Sequence, residues 1–482
     1  MIRLTAIELQ NFKNVKKGKI NLSAWNGNPN TLSADIVGIY GQNGSGKTSI
    51  IRALNILRNI FRGRAVDELV KDCVAKGKET ARIQVEGVIF EKESAITWFF
   101  SYVVKITEKK DWPSIIAEKL QYKRLDTDEK TSLRKLFDYR VEKNEELNYS
   151  IAPLTAWNSI YAIDEAIRTD LLVAQRLAVI NSTSFLFSAA FREASSKLWE
   201  YYLSESSKRK NIQKALGEVL APLYIILLQL VLFALQDFSV INAKHQAESM
   251  TSTLHILTHE GELGALSDSS FDVNLEGSSV LDEEKMQELS RTLESINPVL
   301  NAIIPGFHLS LVELEKMLLE NGSVGFRIEL TCTRGDVTVP LRCESEGVKK
   351  LISIITLLID VYAKPGACVA IDELDSGVFE YLLGEILQVL QDHGRGQLIF
   401  TAHNLRPLEI VNKSNLVFTT TNPTKRYIGF KGNRDSNNLR NQYLRAINLG
   451  GQAETIYEPT SKFEIEAALY DAAFPMQQEQ NE

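Results

Sequence analysis

The chain has 482 residues, 44% hydrophobic and 24% charged, with a formal net charge of −7. That length holds roughly two to four domains of material, and the composition is that of a globular chain with a sizeable core, not a disordered one. The acidic balance excludes a generally basic nucleic-acid coat, and four cysteines with no C-x-x-C pair fit a reducing compartment.

In chain order, Ile2 to Leu9 and Gly18 to Leu22 alternate like strands, joined through Asn11-Phe12-Lys13-Asn14-Val15. The start carries no apolar block of the signal-peptide kind. Ile36 to Tyr40 is a short continuous apolar run, as a buried parallel strand is. Gly41-Gln42-Asn43-Gly44-Ser45-Gly46-Lys47-Thr48 then fits G-x-x-x-x-G-K-[ST] at every fixed position. The glycines let backbone N–H groups turn inward around phosphates. Lys47 reaches the β- and γ-phosphates, and Thr48, followed by Ser49, offers a hydroxyl to Mg²⁺. Thr48 to Arg58 has helical apolar spacing, which aims a helix N-terminus at those phosphates.

Ile83 to Phe90 and Ile96 to Ile106 alternate like strands. Ser114 to about Lys143 mixes Lys and Arg with Asp and Glu and reads as a solvated helical face. A basic strip facing DNA, from Arg62, Arg64 and the Lys/Arg of Tyr122 to Arg140, is the sharper alternative there. Ile163 to Asp237 reads as helical. Its apolar run Val219 to Leu235 is 17 residues long, contains Pro222 and Gln229, and reads as a buried or subunit-packing helix, with no membrane span expected. Ala243 to Ser279 is polar and glycine-bearing, as a loop or exposed insertion is. His255 and His259, with Glu260 following, would place two residues at i and i+4 on one helix face, and read as surface histidines before a zinc pair. Leu281 to Ile303 returns to helical spacing with Asp282 or Ser279 as cap, and Phe307 to Leu311 and Val324 to Cys332 look like strands.

The distal third carries a second set of chemical residues. Ala367 to Ile371 is an apolar strand ending in Asp372 and Glu373, the Walker-B pattern: Asp372 holds Mg²⁺ and Glu373 polarises the attacking water. Asp375 follows where a D-loop lies. Gln397 to Ala402 is another apolar strand, ending at His403, which is placed to contact a γ-phosphate. Ser345 and Gly347 stand at the mouth of an apolar helix, 25 residues before Asp372 in the case of Gly347, and fit the S-x-G core of an ABC signature. An ordinary cap by Ser345 is the plain alternative. Ser345 lies 297 positions after Thr48, and the chain between them must hold structure of its own.

This order of motifs, with the opening Leu4 to Lys13 and its Asn11-Phe12-Lys13, resembles the SMC and RecF-like branch of ABC ATPases. More narrowly, with Asn438 to Leu444 and Gly450-Gly451-Gln452, the chain is similar to the OLD-like AAA-type ATPases of bacterial anti-phage defence, as in PARIS and Septu systems. The resemblance implies an α/β fold: a P-loop ATPase head of mixed β-sheet with helices, carrying a mainly helical insertion and no long coiled-coil arm. The lobes would be 1–110 with the phosphate loop, 111–318 as the helical insertion or oligomerisation region, and 319–482 with the signature, Walker B and switch histidine. It also implies ATP and Mg²⁺ as cofactors, catalytic roles for Lys47, Glu373 and His403, and a homo-oligomer in which Ser345 and Gly347 close a neighbour's site. The departures are Glu346 in place of a signature glycine and no clear Q-loop glutamine, Gln84 and Gln121 being the candidates. Only 79 residues follow His403, too few for the Toprim nuclease domain of OLD-type enzymes. Cutting would fall to a separately encoded effector, a nuclease, with a phage protein or DNA as trigger, in the cytoplasm. The rival implication is a RecF-like ATPase that clamps DNA.

Overall fold

The computed structural model describes residues 1–23, 25, 33–91, 96–110, 112–126, 132–142, 148–204, 210–242, 253–257, 270–429, 439–450 and 452–473. The alternating N-terminal runs form β1 (Ile2–Phe12) and β2 (Val15–Asn21). They join β4 (Ala81–Phe90), β5 (Thr97–Ile106), β6 (Ile115–Arg124), β7 (Arg134–Glu142) and β8 (Asn148–Ala152) in one antiparallel sheet of order β2-β1-β4-β5-β6-β7-β8. Two of these strands correct the sequence expectation: within the charged stretch expected as a helical face, residues 115–124 and 134–142 are β6 and β7. The region 111–318 is therefore not mainly helical at its start, where it extends the N-terminal sheet. The period-two signal was obscured because Glu118 is an acid on the inward face, Asp138 on the opposite face is buried under Lys135 and Arg140, and the pairing of β6 is irregular at two points.

Glu118 is 1% exposed and fully engaged. Tyr102 Oη donates to its Oε1 at 2.6 Å, Ser184 Oγ at 2.5 Å, and the Phe185 N–H donates to Oε2 at 2.8 Å. Burial pushes its carboxyl up, and these donors oppose the shift.

The second large sheet has the order β19-β18-β3-β17-β16-β9. Its members are β3 (Asp35–Tyr40), β9 (Phe238–Ile241), β16 (Cys368–Ile371), β17 (Gln397–Thr401), β18 (Leu416–Thr419) and β19 (Tyr427–Gly429). All neighbours pair in parallel except β18 with β19. Short, fully apolar strands such as Cys368-Val369-Ala370-Ile371 are what a sheet covered on both faces requires. One cover is α1 (Lys47–Phe61), whose Ile50, Leu54, Leu57 and Phe61 fill the space beneath the antiparallel sheet. The other cover includes α8 (Glu346–Ala363), α9 (Glu380–His393) and α10 (Leu439–Leu449). Arg3 ties the sheets together: it donates to Ser33 O and Gly396 O and pairs with Asp35 at 3.4 Å.

Between these lie a one-turn α2 (Asp67–Val70), then α3 (Leu154–Tyr161), α4 (Glu165–Ile180), α5 (Ala189–Ser204) and α6 (Lys210–Leu232). The longest of the described helices is α6 at 23 residues, so no long coiled-coil arm occurs among the described residues. Among the described residues one stretch, Val219–Asp237, is long and apolar enough by length and composition to cross a membrane, and half of its apolar window is buried inside the protein. Leu220, Leu223, Ile226 and Leu230 face the core, as expected for a packing helix. It ends in a π-turn, Phe233–Asp237, and Arg62 donates to the Ala234 carbonyl there at 2.8 Å. Arg62 is thus buried in a capping role and does not form part of a DNA-facing strip. The interleaved acids of that strip pair with its bases: Arg124 with Asp126, and Lys135 and Arg140 with Asp138.

A smaller unit comprises the β10 (Thr253–Leu257) and β11 (Ser270–Asn274) hairpin, β12 (Ser279–Asp282), α7 (Glu283–Ile303), β13 (Phe307–Leu318), β14 (Val324–Arg334) and β15 (Val337–Pro340). Within the loop or exposed insertion expected from 243 to 279, residues 253–257 and 270–274 are paired strands instead. Asp282 caps α7 by accepting from the Lys285 N–H at 2.9 Å, as its position predicts. His255 lies on β10 and bonds across the hairpin to Asp272 at 2.7 Å, so it has no helical partner face. His259 and Glu260 lie outside the described residues, and no three His, Cys, Asp or Glu among the described ones are grouped to hold a metal. The tail ends in an exposed α11 (Lys462–Ala473); Asn438 and Gly451 lie outside the described residues.

Candidate functional site

The carboxyl ends of β3, β16 and β17 open on one cavity of about 710 Å³. Ligands in open parallel sheets lie at that edge because the connecting loops leave there. Its lining includes Asn43, Gly44, Gly46, Lys47, Thr48 and Ser49 from the phosphate loop and Asp372, Glu373, Thr401 and His403 from the distal strands. Residues more than three hundred positions apart in the chain are thus brought together.

The loop is built for an anion. Gly41, Gly44 and Gly46 have φ of 151°, 74° and 99°, a region where a Cβ is strained. A Cβ on Gly41 would also lie 1.7 Å from Thr419 Oγ1. No side chain caps α1 and no acid sits in its first turn, so the N-terminal N–H groups and the positive end of the helix dipole stay available. Lys47 is 6% exposed, and its Nζ donates to Gly41 O at 2.7 Å and Gln42 O at 3.1 Å. Burial lowers its ammonium below the usual lysine range, while Asp372, Glu373 and Asp375 pull the other way. Ser45 Oγ bonds Thr419 Oγ1 at 2.5 Å and Gln42 O, and Gln42 Oε1 accepts from the Glu458 N–H at 3.0 Å.

The acids stand opposite. Asp372 is fully buried, and its Oδ1 accepts from Thr401 Oγ1 at 2.5 Å and Thr48 Oγ1 at 3.4 Å. The same Thr401 oxygen accepts from the Glu373 N–H at 2.7 Å. Glu373 has φ of 51°, an uncommon conformation for a residue with a Cβ, and such outliers cluster at active sites. Asp375 Oδ2 accepts from the His403 N–H at 2.8 Å and the Asn404 N–H at 2.6 Å, locking the D-loop turn to the end of β17. His403 is exposed and lines the cavity.

Ser345 and Gly347 are not in that lining. Ser345 is exposed and caps α8, accepting from the Val348 N–H at 3.4 Å. Gly347 abuts the Gly377 carbonyl, where a Cβ would come within 2.0 Å of the oxygen. Gln84 and Gln121 lie on β4 and β6 beside a separate cavity of about 190 Å³. Neither is placed to act as a Q-loop.

Sequence reasoning missed Thr401, Asn14 and Tyr427. Asn14 Nδ2 bonds the Gly44 carbonyl, Arg426 holds the Asn14 carbonyl at 2.7 Å, and Tyr427 Oη donates to Gly46 O at 2.8 Å. Asn14 adjoins the Asn11-Phe12-Lys13 run that was legible. Thr401 sits two residues before His403, inside an apolar strand where a threonine reads as filler.

Oxygen donors from Thr48 and Asp372 at one buried point suit a hard divalent cation such as Mg²⁺. Among solved structures, the Smc head domain from Thermotoga maritima is similar at 13% identity and a TM-score of 0.35, covering 89% of this chain and 100% of that one. An Smc head domain with an extended coiled coil from Pyrococcus furiosus, bound to the C-terminal domain of ScpA, is similar at 12% identity and 0.38, covering 89% and 97%. An SmcHead bound to the C-winged helix domain of ScpA is similar at 13% and 0.40, with the same coverage of 89% and 97%. No curated protein matches in sequence. The AAA ATPase domain model matches residues 2–406, most of the chain including the whole cavity lining, and the chain belongs to that ATPase family.

Proposed function

We propose that this chain is a Mg²⁺-dependent ATPase acting as a nucleotide-driven switch, yielding ADP and phosphate. The observation that carries this is the convergence of Thr48 and Thr401 on Asp372 Oδ1, across a cavity from the phosphate loop. Lys47 and the loop N–H groups would take the β- and γ-phosphates. Thr48 and Asp372 would hold Mg²⁺, which when bound offsets charge on the phosphate oxygens. Glu373 accepts a proton from the attacking water, and His403 orients that water or a phosphate oxygen. Ser345 and Gly347, outside their own cavity, complete the site of a second copy, so turnover belongs to a homo-oligomer.

The resemblance to OLD-like defence ATPases extends this reading. The switch controls a separately encoded effector, a nuclease, in the cytoplasm of a bacterium under phage attack, with a phage protein or DNA as trigger.

The test is mass photometry of wild type and Glu373→Gln with and without Mg-ATP, alongside phosphate release. Assembly with ATP that persists in Glu373→Gln, with turnover lowered about 10²-fold or more, is expected. Turnover at the wild-type rate in Glu373→Gln would remove the base from the reading. A chain that never assembles would remove the shared site. DNA-stimulated hydrolysis with steep salt dependence would replace the effector reading with a DNA clamp.

A further inference from the structure

One buried charge has no part in the mechanism above. Lys350, one turn into α8, is 2% exposed, and its Nζ has no hydrogen-bond partner among the described residues. Lys349 beside it is 3% exposed but pairs with Glu276 at 2.5 Å and Glu346 at 2.7 Å. The next turn is apolar, with Leu351, Ile352, Ile354 and Ile355 all buried. Taking an ammonium out of water without an ion-paired hydrogen bond costs several kcal/mol. A helix built only to pack would carry leucine or methionine at position 350.

Burial pulls the Lys350 ammonium down to about 8, and the charges of Glu373, Asp372 and Asp375, in that order, oppose that shift. The packing shows why. Gly347 lies three residues earlier on the same helix face and touches the backbone of Gly377, at the far end of the turn that carries these acids. The first turn of α8 therefore meets the 372–377 turn at its far end. On its other side that turn is fixed by hydrogen bonds: Thr401 to Asp372 and Glu373, and the N–H groups of His403 and Asn404 to Asp375. On the α8 side the contact is at Gly347, with the buried Lys350 on the same helix face.

We propose that Lys350 is a positioning residue of the hydrolytic site: its buried, unbonded ammonium holds the acid-bearing turn by charge and aims the Glu373 carboxylate. This rests on the reading of Glu373 as the base. Since Ser345 caps the same helix, a second copy that docks on Ser345 and shifts α8 would shift Glu373 with it.

The test compares Lys350→Met and Lys350→Gln with wild type and Glu373→Gln, on the full chain, by steady-state ATP hydrolysis and thermal melting. A misaimed base lowers kcat by about tenfold while the KM for ATP stays within about twofold in both variants. The melting temperature of Lys350→Met stays level or rises, because an apolar side chain of similar length replaces an unbonded charge. A purely structural lysine would lower melting temperature and kcat together, and that result overturns the proposal. So does kcat within about twofold of wild type in whichever variant folds. If Glu373→Gln itself turns over ATP normally, the base assignment fails first, and the role of Lys350 fails with it.

Discussion

Glu118 in the antiparallel sheet and Asp372 in the parallel one are both buried carboxylates held by hydroxyl donors, yet they do different work. Glu118 is closed: Tyr102, Ser184 and the Phe185 N–H engage both of its oxygens. Asp372 takes its donors from a strand end, Thr401, and a helix start, Thr48, and also lines a cavity. The lesson lies in the sheets. An antiparallel sheet joins neighbours by local turns, so a buried acid within it ends as a brace. A parallel sheet sends its loops out at one edge, so an acid at a strand end meets whatever binds there.

The comparison can be broken from either side. Asp372→Ala is expected to lower ATP turnover by roughly 10³-fold, with a melting temperature within about 3 °C of wild type; phosphate release and calorimetry read the two. Glu118→Ala should do the reverse. It strands three buried donors and should remove about 3–5 kcal/mol of stability, seen as a lower urea midpoint, while the KM for ATP holds. Equal losses of stability in both variants would erase the distinction. Thr401→Val sharpens it further, since one hydroxyl serves both Asp372 and Glu373. A drop in kcat of about tenfold with KM within about threefold is expected, and an unchanged kcat would make Thr401 a packing residue.

The smallest effect is in pH. The Glu118 carboxyl is raised by burial in the folded protein. A raised acid contributes stability that is fully present below the unfolded value and lost as pH rises through the folded one. Wild type should therefore lose stability relative to Glu118→Gln as pH climbs from about 4 toward neutrality. A constant difference between the two melting curves across that range would show that Glu118 does not titrate differently on folding.

Local chemistry was legible where backbone and side chain obey one rule. Gly41 to Thr48 needs its glycines for positive φ and its lysine for charge, and both requirements show as letters in a row. The strands ending at Asp372 and Thr401 were legible because a sheet covered on both faces admits only apolar residues. The strands β6 and β7 were not, because the buried acids Glu118 and Asp138 read as solvent-facing charge until their partners are known.

What the sequence by itself determined was the set of reacting parts: a phosphate loop, two acids and a histidine, each at the end of an apolar run. Tertiary structure alone decided how they meet. The strand order places β17 between β3 and β16, which puts Thr401 between the phosphate loop and the acids. It also set Lys349 in ion pairs and left Lys350 beside it buried without a hydrogen-bond partner. Two adjacent lysines are identical in sequence. Only the direction each takes from the helix, and what lies there, makes one a brace and the other a candidate part of the machine.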